Sequence, residues 1–132
     1  MSPFFFLNQS AIRKVNELFS LPASGKEQDW EIEMADASRR SEFFDVLRSN
    51  ALTDDPDVHA AVAALFIASA DEAITAEQFS DAEDDAAARY CRDNPVLREK
   101  MWRLWFQSSE PDNSDQIRRW LIPEGPASRQ PR

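Results

Sequence analysis

Asp54-Asp55-Pro56-Asp57-Val58-His59-Ala60-Ala61-Val62-Ala63-Ala64-Leu65-Phe66-Ile67-Ala68 is the stretch that decides the fold. An acid followed by proline marks a helix start. The carboxylate accepts from a free backbone N–H at the N-cap, and proline at the first helical position lacks an N–H that would have gone unpaired anyway. Val58, Ala61, Val62, Leu65 and Phe66 share one face, and the centre from Ala60 to Ala68 is apolar all round. Such a helix is expected in the middle of a fold, buried on several sides.

Amphipathic segments flank it on both sides. Gln9 to Leu21 places Ile12, Val15, Leu18 and Phe19 on one stripe, with Asn8 or Ser10 able to cap its start and Pro22, Ser24 and Gly25 ending it. Asp36 caps a helix reaching about Asn50, with Phe43, Phe44 and Leu47 inward. Thr75-Ala76-Glu77-Gln78 matches a capping box and predicts a helix from Thr75 to about Cys91. Asn94-Pro95 opens another, running to about Gln107 with Leu97, Met101, Leu104 and Trp105 inward, and Ser114 caps a short last one carrying Ile117, Trp120 and Leu121. Asp29-Trp30-Glu31-Ile32-Glu33-Met34 alternates acidic and apolar residues and reads as a short strand, for which Phe4-Phe5-Phe6-Leu7 is the available partner, the alternative being that it simply leads into the next helix.

The expectation is therefore an all-α fold, an irregular bundle of five or six short helices with a short N-terminal β ribbon as an optional addition. One helical domain is expected over residues 1–123, followed by a disordered tail over 124–132, which is polar and broken by Gly125, Pro126 and Pro131. A chain of 132 residues can bury roughly two-thirds of its unfolded surface in a real core. With only two glycines it is poorly supplied for hairpin turns and phosphate loops. A single cysteine, Cys91, forbids an intramolecular disulfide. The apolar N-terminal run lacks a basic n-region and signal length, and the apolar runs fall short of the eighteen or so residues of a membrane span, so a cytoplasmic protein without a membrane partner is expected.

The charge is one-sided. Ten acids and no base lie between Ala51 and Ala88, and the 24 acids of the chain less these ten leave 14 against 15 bases. The middle of the chain thus carries the whole net charge of −9. Such a block repels phosphate backbones, which argues against nucleic-acid binding, and attracts a basic protein with electrostatically quickened encounter. The plainer alternative is a solvated surface that keeps the protein soluble. Local electrostatics accounts for part of the pattern, because Asp81, Glu83, Asp84 and Asp85 fall early in their helix and Arg89 and Arg92 late, as a helix dipole favours.

Catalytic constellations are missing. His59 and Cys91 are the only His and Cys, too few for a zinc site, and they sit on different predicted helices. Arg89 and Arg92 flank Cys91 and would lower its pKa, but an idle helix-face thiol is the preferred reading. Asp54-x-x-Asp57 and Asp81-x-Glu83-Asp84 lack the spacing and glycine of a calcium loop and read as surface. No enzyme activity, cofactor or metal is expected; a small carboxylate enzyme is the least favoured reading. In Trp102-x-x-Trp105-Phe106 the aromatics are expected to pack inward, Trp105 on the inner stripe; the alternative is that Trp102 and Phe106 are partly exposed as interface anchors, Trp102 being the one chosen.

The 29–34 alternation, the alanine-rich helix around Leu65-Phe66-Ile67 and the Trp-bearing helix near Trp102, taken with the acidic block, resemble small bacterial immunity proteins that partner secreted toxins. The resemblance is one of class and transfers no site residues. It implies a protein-binding module that neutralises a cognate toxin and leaves that toxin open; the acidic block points to a basic toxin domain as one candidate partner. The charge pattern assigns steering to Asp54, Asp55, Asp57, Glu77, Asp81, Asp84 and Asp85, with Trp102 as apolar anchor. The alternative is an adaptor or regulatory subunit of a cytoplasmic complex, a homodimer being one form of it.

Overall fold

The computed structural model describes residues 7–23, 30–49, 54–104 and 115–122. These form seven helices and no strand: α1 (Gln9–Phe19), α2 (Trp30–Glu33), α3 (Arg40–Arg48), α4 (Pro56–Thr75), α5 (Asp81–Asp93), α6 (Pro95–Trp102) and α7 (Asp115–Leu121). The fold is all-α, an irregular bundle. Within the chain two compact units are distinguished, one of residues 6–81 and one of residues 1–5 with 82–132. Residues 124–132 lie outside the described residues, as do Trp105 and Phe106.

In the unit of residues 6–81, α4 is the hub against which α1, α2, α3 and a 3-10 turn at Ala37–Arg39 all pack. Its start follows from sequence: Asp55 at the N-cap accepts from the Val58 N–H at 3.2 Å, and Pro56 occupies the first turn. Every residue from Ala60 to Ala70 is buried. Alanine side chains keep the helix narrow, so neighbours can close on it from several directions. By length and composition alone, α4, 20 residues long, is apolar enough to cross a membrane, although its unbroken apolar run is only Ala60–Ala68. Here its apolar surface is buried within the protein.

The neighbours are fixed by a few specific contacts. Ala11, Ile12, Val15 and Phe19 of α1 are buried, whereas Leu18, expected on the same stripe, is 51 % exposed, because it falls at the edge of the arc centred on Val15 and Phe19. Phe19 meets Phe43 of α3 edge-on at 4.8 Å, and Phe44 stacks on Phe66 of α4 at 4.8 Å. Arg39 binds the Glu42 carboxylate through Nε (2.9 Å) and Nη2 (2.8 Å) and also donates to the Phe19 carbonyl at the end of α1 (2.8 Å). Its guanidinium lies 5.5 Å from the Phe43 ring centroid. The Arg39 hydrogen bond is the largest of the effects that hold the Glu42 carboxyl below its usual range. That pair therefore stabilises the fold above the ordinary glutamate pKa, and the contribution is lost as pH falls through the lowered one.

The one buried polar side chain among the described residues is Ser69 of α4. Its hydroxyl accepts from the Asp36 N–H at 2.9 Å and donates to the Leu65 carbonyl at 2.8 Å, so burial leaves it satisfied. One turn on, Glu72 accepts from the Ala37 N–H at 3.1 Å. Together they dock the 3-10 turn, whose own cap is Asp36 accepting from Ser38 N–H at 3.0 Å. Asp36 thus caps as the sequence predicts, although the regular helix starts only at Arg40.

Two expectations are corrected. Of the stretch 29–34, the described residues 30–34 are not a strand: Trp30–Glu33 is one helical turn, and the Met34 N–H bonds back to the Trp30 carbonyl at 2.9 Å. Over so short a stretch the two periods are confounded, because residues 30 and 34 share a face in a helix as well as in a strand. Ile32 separates them. It would lie beside Trp30 on a strand; here Trp30 is 3 % exposed and Ile32 53 %. Burial of Trp30 is completed by its indole N–H, which donates to Asn16 Oδ1 of α1 at 2.7 Å.

The second concerns Thr75, which ends α4 rather than capping the next helix; α5 begins at Asp81. Glu77 takes a left-handed conformation (φ 59°), its N–H bonds to the Ile74 carbonyl at 3.0 Å, and the Gln78 N–H reaches the Ala73 carbonyl at 2.8 Å. This is a Schellman terminus built without glycine. Arg40 holds it in place by donating to the Gln78 carbonyl at 3.0 Å. α1 ends in the same way, with Ser20 at φ 52° and the Leu21 N–H on the Asn16 carbonyl at 2.9 Å. Because a side chain in this region costs about 1 kcal/mol that glycine avoids, Ser20→Gly is expected to raise the thermal midpoint by a few degrees; a scan of both proteins by circular dichroism checks it.

In the second unit α6 packs on α7, and Ala87, Met101, Ile117, Trp120 and Leu121 are buried. The inward set of the last helix is the predicted one. Asn94 occupies the N-cap of α6 before Pro95, but its side chain reaches back to the Tyr90 carbonyl at 2.8 Å and closes the end of α5 instead.

Candidate partner-binding surface

The seven carboxylates and one indole singled out by charge and pattern are put to different uses. Asp54 and Asp57 are exposed around the start of α4, with Asp55 between them. Asp55 is occupied as the N-cap and also meets Lys14 Nζ of α1 at 3.3 Å. The Val58 N–H is the leading reason its carboxyl lies below the usual range, with Lys14 adding to it. This cap is in place above the ordinary aspartate pKa and is lost as pH falls through the lowered value. The ion pair itself is worth little, since the two side chains are 62 % and 39 % exposed.

Glu77 is exposed at the other end of α4, about 30 Å from the first group along a 20-residue helix. Asp81 and Asp85 are exposed and one turn apart on α5. Asp84, on the same helix, is turned to internal use: its Oδ1 accepts from Gln116 Nε2 and from Trp120 Nε1, both at 2.8 Å, which ties α5 to α7. Trp102 is half-buried, with the Arg118 guanidinium of α7 5.6 Å from its ring centroid. It packs within its own unit as aromatic residues at helical spacing usually do.

The predicted set thus divides. Asp54, Asp57, Glu77, Asp81 and Asp85 are exposed; Asp55 and Asp84 have structural duties, and Trp102 is partly covered. Glu72, also in the acidic block, is engaged with the 3-10 turn. The sequence shows the density of charge but not this division. The partners of Asp84 are 32 and 36 residues away, and no local pattern announces a pairing over that distance.

His59 lies on α4 and Cys91 on α5, in different units. Burial pushes the Cys91 thiol up to about 12, and only Arg98 acts in the opposite sense. The lowering expected from Arg89 and Arg92 is not found, because both are exposed to water. Burial likewise raises the neighbouring Tyr90 phenol to about 12. Among the described residues no group of three His, Cys, Asp or Glu side chains converges as a metal site would require.

A thiol with a pKa near 12 is thiolate at pH 8 in only about one part in ten thousand, against roughly a quarter for an unperturbed cysteine. Native protein is therefore expected to react with a disulfide reagent such as Ellman's at least about a hundredfold more slowly than protein unfolded in urea. Stopped-flow absorbance at matched pH checks this; equal rates would mean an exposed, unperturbed thiol.

Comparison with family models, with curated proteins and with solved structures finds no match.

Proposed function

We propose that this chain is a protein-binding module whose exposed carboxylates attract a basic protein, and that its partner is a cognate bacterial toxin which it neutralises. The observation that carries the reading is the one-signed acidic block of residues 51–88, from which Asp54, Asp57, Glu77, Asp81 and Asp85 face solvent. Surface carboxylates of one sign raise the encounter rate with a basic protein and repel a nucleic acid. A nuclease toxin grips phosphates with a basic cleft, and an acidic inhibitor is complementary to such a cleft. The class resemblance to immunity proteins favours the toxin as the particular partner.

The division of the carboxylates sharpens the proposal. Steering is assigned to Asp54, Asp57, Glu77, Asp81 and Asp85, whereas Asp55, Glu72 and Asp84 are hydrogen-bonded to their own chain, Glu72 at an exposed position. The test is to co-express the chain with the products of its neighbouring reading frames in the host that encodes it. A neighbouring product that co-purifies in equal amount, and arrests growth when this chain is left out, supports the reading. If every neighbour is harmless and the tagged chain retains only itself, toxin neutralisation fails and self-association takes its place.

A further inference from the structure

We draw no further inference here: the strongest candidate, the exposed stripe of α5 that carries Asp81 and Asp85 ahead of Arg89 and Arg92, is an acidic cluster followed by bases in the order a helix dipole itself favours, and nothing in the structure shows what covers it.

Discussion

Trp30→Ala is expected to destabilise the unit of residues 6–81 by about 3–5 kcal/mol, the range for truncating a buried large aromatic. Trp30 is 3 % exposed and bonds Asn16 of α1 at 2.7 Å, so the truncation removes apolar bulk and leaves Asn16 Oδ1 without its donor. Against a total stability of about 5–15 kcal/mol for a domain, this is a large fraction. Trp30→Phe keeps most of the bulk and isolates the hydrogen bond, at about 1 kcal/mol plus the smaller ring's lost contacts. Ile32→Ala decides between helix and strand. On a strand it would share the buried face with Trp30 and cost about 1–3 kcal/mol; on the helical turn, where Ile32 is 53 % exposed, the change stays within about 0.5 kcal/mol. Urea unfolding of the three variants, followed by far-UV circular dichroism, gives all these differences in one series.

Asp84→Ala is expected to loosen the second unit by about 2–3 kcal/mol. One carboxylate oxygen accepts two hydrogen bonds, and the donors it would abandon include the indole of Trp120, which is 4 % exposed. Asp84→Asn retains an acceptor oxygen and is expected to recover roughly half of that loss. The effect belongs to α7. Amide hydrogen exchange in residues 117–121 should quicken by about thirtyfold, the equivalent of 2 kcal/mol, while amides of residues 60–70 in α4 keep their protection. An unchanged exchange rate in α7 would show that Asp84 is a surface charge like Asp85. The result bears on function, because it separates a carboxylate that holds the fold from those available to a partner.

How much of this was legible depends on whether the deciding interaction was local. The start of α4 was readable because its cap residue and its N1 proline are adjacent, and its central position because residues 60–68 leave it no polar side. The inward set of α7 was readable from spacing alone. The turn at Trp30 was not, because six alternating residues fit both periods until the exposure of Ile32 is known. The end of α4 was not either. The conformation that stops it falls on Glu77 rather than on a glycine, and its bracing comes from Arg40, far back in the sequence, so the Thr75 capping pattern misleads. The same limit applies to the candidate surface. Ten acids in one stretch are plain from composition, but which of them are tied into the fold depends on Val58, Ala37, Gln116 and Trp120, and three of those four lie beyond the reach of a local pattern.

The proposed recruitment of a basic protein rests on the exposed carboxylates. It is tested most directly by pull-down from the host with the tagged wild-type chain and with a variant carrying Asp54→Asn, Asp57→Asn, Glu77→Gln, Asp81→Asn and Asp85→Asn. All five positions are exposed, so the variant should unfold at nearly the same urea concentration as the wild type. Wild type is expected to retain a basic protein at low salt, with recovery falling as the salt is raised. The variant should associate with that protein at least about tenfold more slowly. Equal retention by both chains, indifferent to salt, would contradict it.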